Sequence, residues 1–209
     1  MLSLIVVETV ILCVQILFYF GCELLQHDHK DVRRPVDDRI PFLPGFAFAY
    51  LLWFPLIALF PLFLYYVSEK DYAVYQLSIL VSIVSSTVIY VLFPTSMERH
   101  VPEEGHLRWL IRLIYKCDFK GSNCSPSLHC AQCYLILASA CLCGTFNAGA
   151  LVLILIITAA IVVSTVMIKQ HALIDVITAV PLAAISYAAG WLITNNMGYE
   201  TILRALGLA

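Results

Sequence analysis

Four long stretches of this chain carry no Asp, Glu, Lys or Arg, and they constrain its fold more than any other feature. They span residues 45–68, 72–97, 121–168 and 176–199. A helix needs about 20 apolar residues to cross the hydrocarbon core of a bilayer. The third stretch is long enough for two such helices, with turn-forming residues at 144–149 between them. The pattern therefore predicts helices that cross a membrane.

A further apolar segment, residues 4–20, is interrupted by Glu8 and Gln15. Because it lacks a basic leading region and a small-residue cleavage site, we expect a retained helix rather than a signal peptide. Only 12% of the residues are charged, against roughly 25% in an average soluble domain. The sequence predicts an all-α, polytopic integral membrane protein, a single membrane domain over residues 1–209. The six expected transmembrane helices are 2–20, 46–66, 73–94, 126–144, 149–168 and 171–193.

The connections that follow the odd-numbered helices carry most of the cations. The segments 21–44 and 95–125, together with Lys169, hold ten Lys and Arg, whereas the opposite connections hold two. We therefore expect one membrane face to be positively charged and to hold the active site at the helix ends. The positive-inside rule would place this face in the cytoplasm.

The first polar motif, residues 125–129, opens the fourth expected helix. With Ser125 as the N-cap and proline next, the amides of Ser127, Leu128 and His129 would lack backbone partners. Such a helix start binds phosphate readily, the Ser127 hydroxyl adds a donor, and His129 can supply a proton. A capped helix with a polar first turn explains the same residues about equally well.

The second polar motif opens the sixth expected helix. His171 and Asp175 are four residues apart and so share one helix face, where a carboxylate holds one imidazole nitrogen and leaves the other as base or nucleophile. About two membrane crossings separate the two histidine motifs, which returns His129 and His171 to one face. A polar pair packed between helices is the alternative, but Arg99 and Lys169 on the same face favour a functional site.

Together these residues resemble the type 2 phosphatidic acid phosphatase superfamily, which has a six-helix membrane core and three sequence motifs. The motif P-S-G-H matches residues 126–129, with Leu128 in place of glycine. The motif S-R-x5-H-x3-D matches residues 164–175, with Thr165 in place of arginine. Of the motif K-x6-R-P, only Arg99 is present.

The surrounding sequence is similar to the inositolphosphotransferase branch of this superfamily, which includes inositol phosphorylceramide synthases. The resemblance covers about residues 35–193, the expected catalytic core. The segments that carry this likeness are 43–44, 51–55, 93–95 and 123–129.

The resemblance implies metal-independent phosphoryl transfer on a lipid phosphate ester through a phosphohistidine. His171 would be the nucleophile, Asp175 would orient it, and His129 would protonate the leaving alcohol and then activate water or a hydroxyl acceptor. The phosphate would be held by Arg99, Ser127 and the amide of Leu128. No cofactor, metal ion or nucleic acid is expected; the partners are the lipid substrate and the bilayer. The family usually places this site on the extracytoplasmic or luminal side, which is the orientation that we expect.

The arginine missing at Thr165 leaves the phosphate short of one positive charge. Lys169 follows one helical turn later and is expected to supply it, as a point charge rather than a fork. Lys120 is a further phosphate-binding candidate. A non-catalytic relative with a degraded site is the alternative to an active phosphatase or head-group transferase.

Two other classes of function remain open. Among eight cysteines, Cys130 and Cys133 form a C-x-x-C motif, which would suit a membrane thiol oxidoreductase or a metal site. Small residues in an apolar helix more often pack against other helices, and no second motif completes a zinc site. A transporter would need broken helices and polar groups at mid-membrane. The hints of these are Pro55 and Pro61 in the second expected helix and Glu8 and Gln15 in the first.

Overall fold

The computed structural model of the protein describes residues 2–99, 105–118 and 121–208, and it is mostly helical, at 76%. Two short strands, β1 (Lys30–Asp31) and β2 (Thr95–Ser96), pair in parallel. The α-helices are α1 (Leu2–Gly21), α2 (Pro35–Asp38), α3 (Ala47–Leu51), α4 (Trp53–Val67), α5 (Glu69–Leu92), α6 (Arg108–Cys117), α7 (Leu128–Cys143), α8 (Ala148–Met167), α9 (Leu173–Met197) and α10 (Tyr199–Ala205).

Five helical segments of the described residues are long and apolar enough to cross a membrane, which confirms the expected multi-pass character. They are Leu2–Leu24, Pro44–Val67, Glu69–Leu92, Ala148–Met167 and Leu173–Met197. The remaining expected crossing corresponds to α7, which is apolar but has only 16 residues. At 1.5 Å per residue it is about 24 Å long, less than the hydrocarbon core of about 30 Å. A sixth crossing stays a prediction.

Several helix boundaries differ from those expected. The second expected helix is divided at Leu52 into α3 and α4, because the ring of Pro55 clashes with the carbonyl group four residues earlier. The third begins earlier, at Glu69, where the side chain of Ser68 accepts a hydrogen bond from the amide of Asp71 at 3.2 Å. Helices α6 and α10 lie in segments that were expected to be a loop and a tail.

Helices α5 and α9 approach each other closely because Gly190 has no side chain. A β-carbon at this position would lie 2.3 Å from Oγ of Ser78 and 2.7 Å from the carbonyl oxygen of Val74. Helix α7 packs against α5, α8 and α9. This arrangement holds the first turns of α7 and α9 next to each other, and both histidine motifs lie there.

The polar side chains of α1 are paired with side chains of the other helices. Glu8 accepts hydrogen bonds from Tyr72 Oη at 2.7 Å and from Gln76 Nε2 at 2.6 Å. Gln15 accepts one from Gln132 Nε2 at 2.6 Å. Because a buried polar group is expensive without a partner, these contacts attach α1 to α5 and α7.

Candidate active site

The two histidines of the motifs are in contact. His129 lies in the first turn of α7, and His171 lies two residues before α9 begins. Nδ1 of His129 and Nε2 of His171 are 3.3 Å apart. Helices α7 and α8 form a hairpin, so the end of α8 lies beside the start of α7. The two histidines are therefore neighbours, although two helices separate them in the sequence.

Asp175 holds His171 and also caps α9. Its Oδ2 lies 3.3 Å from Nδ1 of His171 and accepts a hydrogen bond from the amide of Ala172 at 2.9 Å. The carbonyl oxygen of Cys124 lies 3.1 Å from the same Nδ1. Because a carbonyl and a carboxylate both accept, Nδ1 carries the proton and Nε2 has a free lone pair. Both side chains are buried, at 3% and 0% exposure.

Tyr50 extends this pair into a chain of four polar groups, and the motifs gave no indication of it. Its hydroxyl lies 2.9 Å from Nε2 of His129, and the ring of Trp53 packs on the same imidazole at 4.3 Å between centroids. If Nε2 of His171 accepts from His129, then Nε2 of His129 accepts from Tyr50. The aromatic residues just before Pro55 were the only sequence signal for this contact.

The phosphate cradle at the start of α7 differs from the expected one. The N-cap is Ser127, not Ser125, and its Oγ accepts from the amide of Cys130 at 3.3 Å. The amide of Ser127 donates to the backbone carbonyl of Asp175 at 3.1 Å, so the expectation that this amide is free was wrong. The amides of Leu128 and His129 remain in the first turn of the helix, where no intrahelical acceptor exists for them.

Arg99 lies beside the second motif in a buried ion pair with Asp118, with 6% of its side chain exposed. Its Nη2 donates to the carbonyl oxygen of Gln170, the residue before His171, at 3.3 Å. Burial alone would lower the pKa of Arg99, but attraction to Asp118 outweighs it and the pKa is raised. Tyr19 also donates to Asp118, at 3.0 Å. The guanidinium is therefore a permanent, fixed positive charge.

Lys169 has a different contact from the one expected. Its Nζ donates to the backbone carbonyls of Asp37 and Ile40, both at 2.6 Å. Burial lowers the pKa of this ammonium, and the nearby Asp37 partly opposes the shift. Phosphate binding by Lys169 stays a prediction, and Lys120 lies outside the described residues. The backbone carbonyl of Thr165, the residue at the arginine position of the motif that the sequence resembles, accepts a hydrogen bond from the amide of His171 at 3.0 Å.

The C-x-x-C motif, which would suit a thiol oxidoreductase or a metal site, lies within α7. Cys130 and Cys133 are both fully buried with free thiols, so a thiol substrate has no open path to them. Within the described ranges, no group of three or more His, Cys, Asp or Glu side chains could hold a metal ion.

Four buried polar atoms around the histidines have no hydrogen-bond partner among the described residues. They are Nε1 of Trp53, Nε of Arg99, Oε1 of Gln170 and Oδ1 of Asp175. Buried polar groups are rarely left unpaired, because each one costs about 1–3 kcal/mol. Two of the four are N–H donors, one of them on a cation, and these could donate to an anionic ligand; the two oxygens are acceptors and would need a donor.

Comparison of the chain with models of protein families, with curated proteins and with solved structures found no match. Function is therefore inferred from the side chains that the fold brings together.

Proposed function

We propose that this protein is a membrane lipid phosphatase or phosphotransferase that acts on a lipid phosphate ester through a phosphohistidine, without a metal ion. The observation that carries the proposal is the buried chain from Asp175 through His171 to His129. It places a carboxylate, an imidazole with a free Nε2 and a second imidazole in series, which are the groups that this reaction needs. Membership of the type 2 phosphatidic acid phosphatase superfamily is part of the same proposal.

In the first step, Nε2 of His171 attacks phosphorus and the bond from phosphorus to the alcohol oxygen breaks. Asp175 stabilises the imidazolium that forms. His129, which is neutral in the hydrogen-bond chain described above, takes up a proton when the anionic phosphate binds beside it and gives that proton to the departing alcohol. In the second step, His129 takes a proton from water or from a lipid hydroxyl, which attacks the phosphohistidine and frees His171. Because the two imidazole nitrogens now touch, the phosphoryl group must displace His129 from His171 when it binds.

Charge on the phosphoryl oxygens would be stabilised by Arg99 and by the amides of Leu128 and His129. Positioning and charge stabilisation are the main tasks of an enzyme in phosphoryl transfer. Asp118 neutralises part of the Arg99 charge, but Nε of Arg99 still has an N–H to donate. Lys169, with Lys120, would add further positive charge if it left its present carbonyl partners.

The segment that carries Tyr50 has an apolar surface that suits a lipid. A groove of about 660 Å³ is lined by apolar residues of the segment that leads into and forms α3. Its lining residues are Leu43, Pro44, Gly45, Phe46, Phe48, Ala49 and Leu52. Tyr50, which contacts His129, lies on the same short helix. In the proposal, an acyl chain of the substrate lies against this groove.

The proposal also includes the number of membrane crossings and the membrane face on which the site lies. In it, α7 provides the sixth crossing, the site lies at helix ends on one membrane face, and residues 35–193 form the catalytic core. The face is extracytoplasmic or luminal, as is usual for the family that the motifs resemble. If the acceptor is a lipid hydroxyl, the enzyme is a head-group transferase of the inositol phosphorylceramide synthase type; if it is water, a phosphatase.

The test is to incubate the purified protein in lipid nanodiscs with a panel of lipid phosphates, with and without ceramide or diacylglycerol. Mass spectrometry distinguishes free phosphate from a new head-group lipid. We expect turnover in EDTA, inhibition by vanadate, and an acid-labile phosphoenzyme that is absent from His171→Ala. Turnover that EDTA abolishes and magnesium restores would refute the mechanism.

The control variant changes Cys130 and Cys133 together to alanine and should keep substantial activity. Loss of activity in this variant, in folded protein, would favour the thiol oxidoreductase instead. Absence of turnover on every lipid phosphate, with a folded wild-type protein, would favour a non-catalytic relative.

A further inference from the structure

Helix α6 has three different sides, and only one of them is used by the fold. The buried side consists of Leu110, Ile111, Ile114 and Tyr115. A second side is apolar and exposed, with Trp109 at 64% and Leu113 at 50% exposure. The third side is a row of cations at intervals of four residues, the half-buried Arg108 and the exposed Arg112 and Lys116. Residues at this spacing lie above one another on a helix.

The buried side fixes α6 at the depth where the apolar helices end. It packs in one cluster with Tyr50 of α3 and with Ile168, the residue that follows α8. The hydroxyl of Tyr115 donates to the carbonyl oxygen of Ile168 at 2.5 Å. Because α8 is long enough to span a bilayer, a helix attached to its end lies at the level of the lipid head groups.

The two remaining sides fit that position. Tryptophan is enriched at the membrane interface, where its ring is partly in lipid and partly in water. Helix α6 contains no acidic residue, and its cations form no ion pair within residues 2–99, 105–118 and 121–208. An apolar side beside a row of cations is the pattern of a helix that lies in an anionic membrane surface.

We propose that α6 is an interfacial helix that inserts Trp109 and Leu113 among the lipids and binds anionic phospholipid head groups with Arg108, Arg112 and Lys116. The ring of Tyr115 lies 5.4 Å from the Arg99 guanidinium, so the head groups collect beside the candidate active site. The lipid-binding role does not depend on the catalytic proposal, because it needs only the position and charge of the helix.

The experiment uses a reporter variant, Trp53→Phe with Trp191→Phe, in which Trp109 is the single tryptophan. The protein is placed in nanodiscs that contain brominated phosphatidylglycerol or, separately, the same fraction of brominated phosphatidylcholine. Bromine quenches tryptophan fluorescence on contact. We expect both lipids to quench Trp109, the anionic one more strongly, with the difference lost in high salt because the charges are screened.

The charge variant changes Arg108, Arg112 and Lys116 to glutamine. Each cation near the surface of an anionic membrane contributes about a five-fold gain in affinity for that surface. Without the three cations, quenching by phosphatidylglycerol should fall to that by phosphatidylcholine. Quenching by phosphatidylcholine itself should persist. The matched control removes three other exposed cations, Lys30, Arg39 and Lys70, and should keep the preference.

Two results would overturn the proposal. Quenching of Trp109 by aqueous iodide but by neither lipid would show that the helix lies outside the bilayer and faces water or a protein partner. Equal quenching by both lipids in the unaltered helix would show that it does not select anionic head groups. Native mass spectrometry of the wild-type chain gives a second measurement, since retained phosphatidylglycerol should fall in the charge variant and not in the control.

Discussion

Replacing Tyr50 with phenylalanine tests the proposed chemistry at a group that no motif contains. The change removes one hydroxyl, 2.9 Å from Nε2 of His129, and keeps the buried ring. When His129 is neutral, the lost hydrogen bond is worth about 0.5–1.5 kcal/mol; when it is an imidazolium, about 1.5–3 kcal/mol. The charged form therefore loses about 1–1.5 kcal/mol more than the neutral form, which corresponds to about a five- to twelvefold lower rate.

The assay compares two substrates that share one lipid chain, an alkyl phosphate and a nitrophenyl phosphate. Loss of an alkoxide needs a proton from His129, whereas nitrophenolate leaves well without one. We expect kcat/KM of Tyr50→Phe to fall about five- to twelvefold on the alkyl substrate and to change much less on the nitrophenyl one.

The control for this variant is Tyr134→Phe, which removes a hydroxyl 3.4 Å from a backbone carbonyl oxygen of α9. It should leave both substrates at wild-type rates. Equal losses on the two substrates for Tyr50→Phe, or no loss on either, would refute the assignment of His129 as the proton donor.

Three further variants test the fold and the phosphate-binding residues. Gly190→Ala should lower the free energy of unfolding by about 1–3 kcal/mol because of overpacking, measured by thermal unfolding in detergent, whereas Gly21→Ala has open space and should not. Asp118→Asn should cost about 3–5 kcal/mol, since it leaves a buried guanidinium unpaired; an unchanged melting temperature would contradict this. Lys169→Ala should lower the melting temperature and change turnover little. A large loss of turnover at an unchanged melting temperature would support phosphate binding.

Part of this architecture follows from the sequence, and the reasons are physical. Membrane-length helices are visible because apolar length alone defines them. The contact between His171 and Asp175 was expected from helical spacing, but the expected helix start at residue 171 was wrong: α9 begins at Leu173, and the contact forms across its N-terminal cap. The proximity of this pair to His129 follows from the return of a helical hairpin. Interactions that depend on a side-chain rotamer or on the path of a loop could not be predicted from the sequence. Two examples are the N-cap at Ser127 and the hydrogen bonds from the Lys169 ammonium to two carbonyls that are distant in sequence.

Two omissions had a signal that could have been used. Residues 110, 111, 114 and 115 of α6 are apolar at helical intervals, but the cations between them gave the segment the composition of a loop. Tyr50 lies in an aromatic segment that resembles lipid-facing residues elsewhere in the chain. Its contact with His129 depends on the break between α3 and α4 at Leu52, which the sequence did not reveal.

The double use of Asp175 affects how related sequences should be interpreted. Its carboxylate caps α9 as well as holding His171, so selection for a stable helix would preserve an aspartate here even in a descendant that had lost its chemistry. The His129 ring contacts Tyr50, Trp53 and His171, and among the described residues its side chain caps no helix. In a set of homologues, loss of the histidine at position 129 would mark the inactive copies, and retention of the aspartate would not identify the active ones.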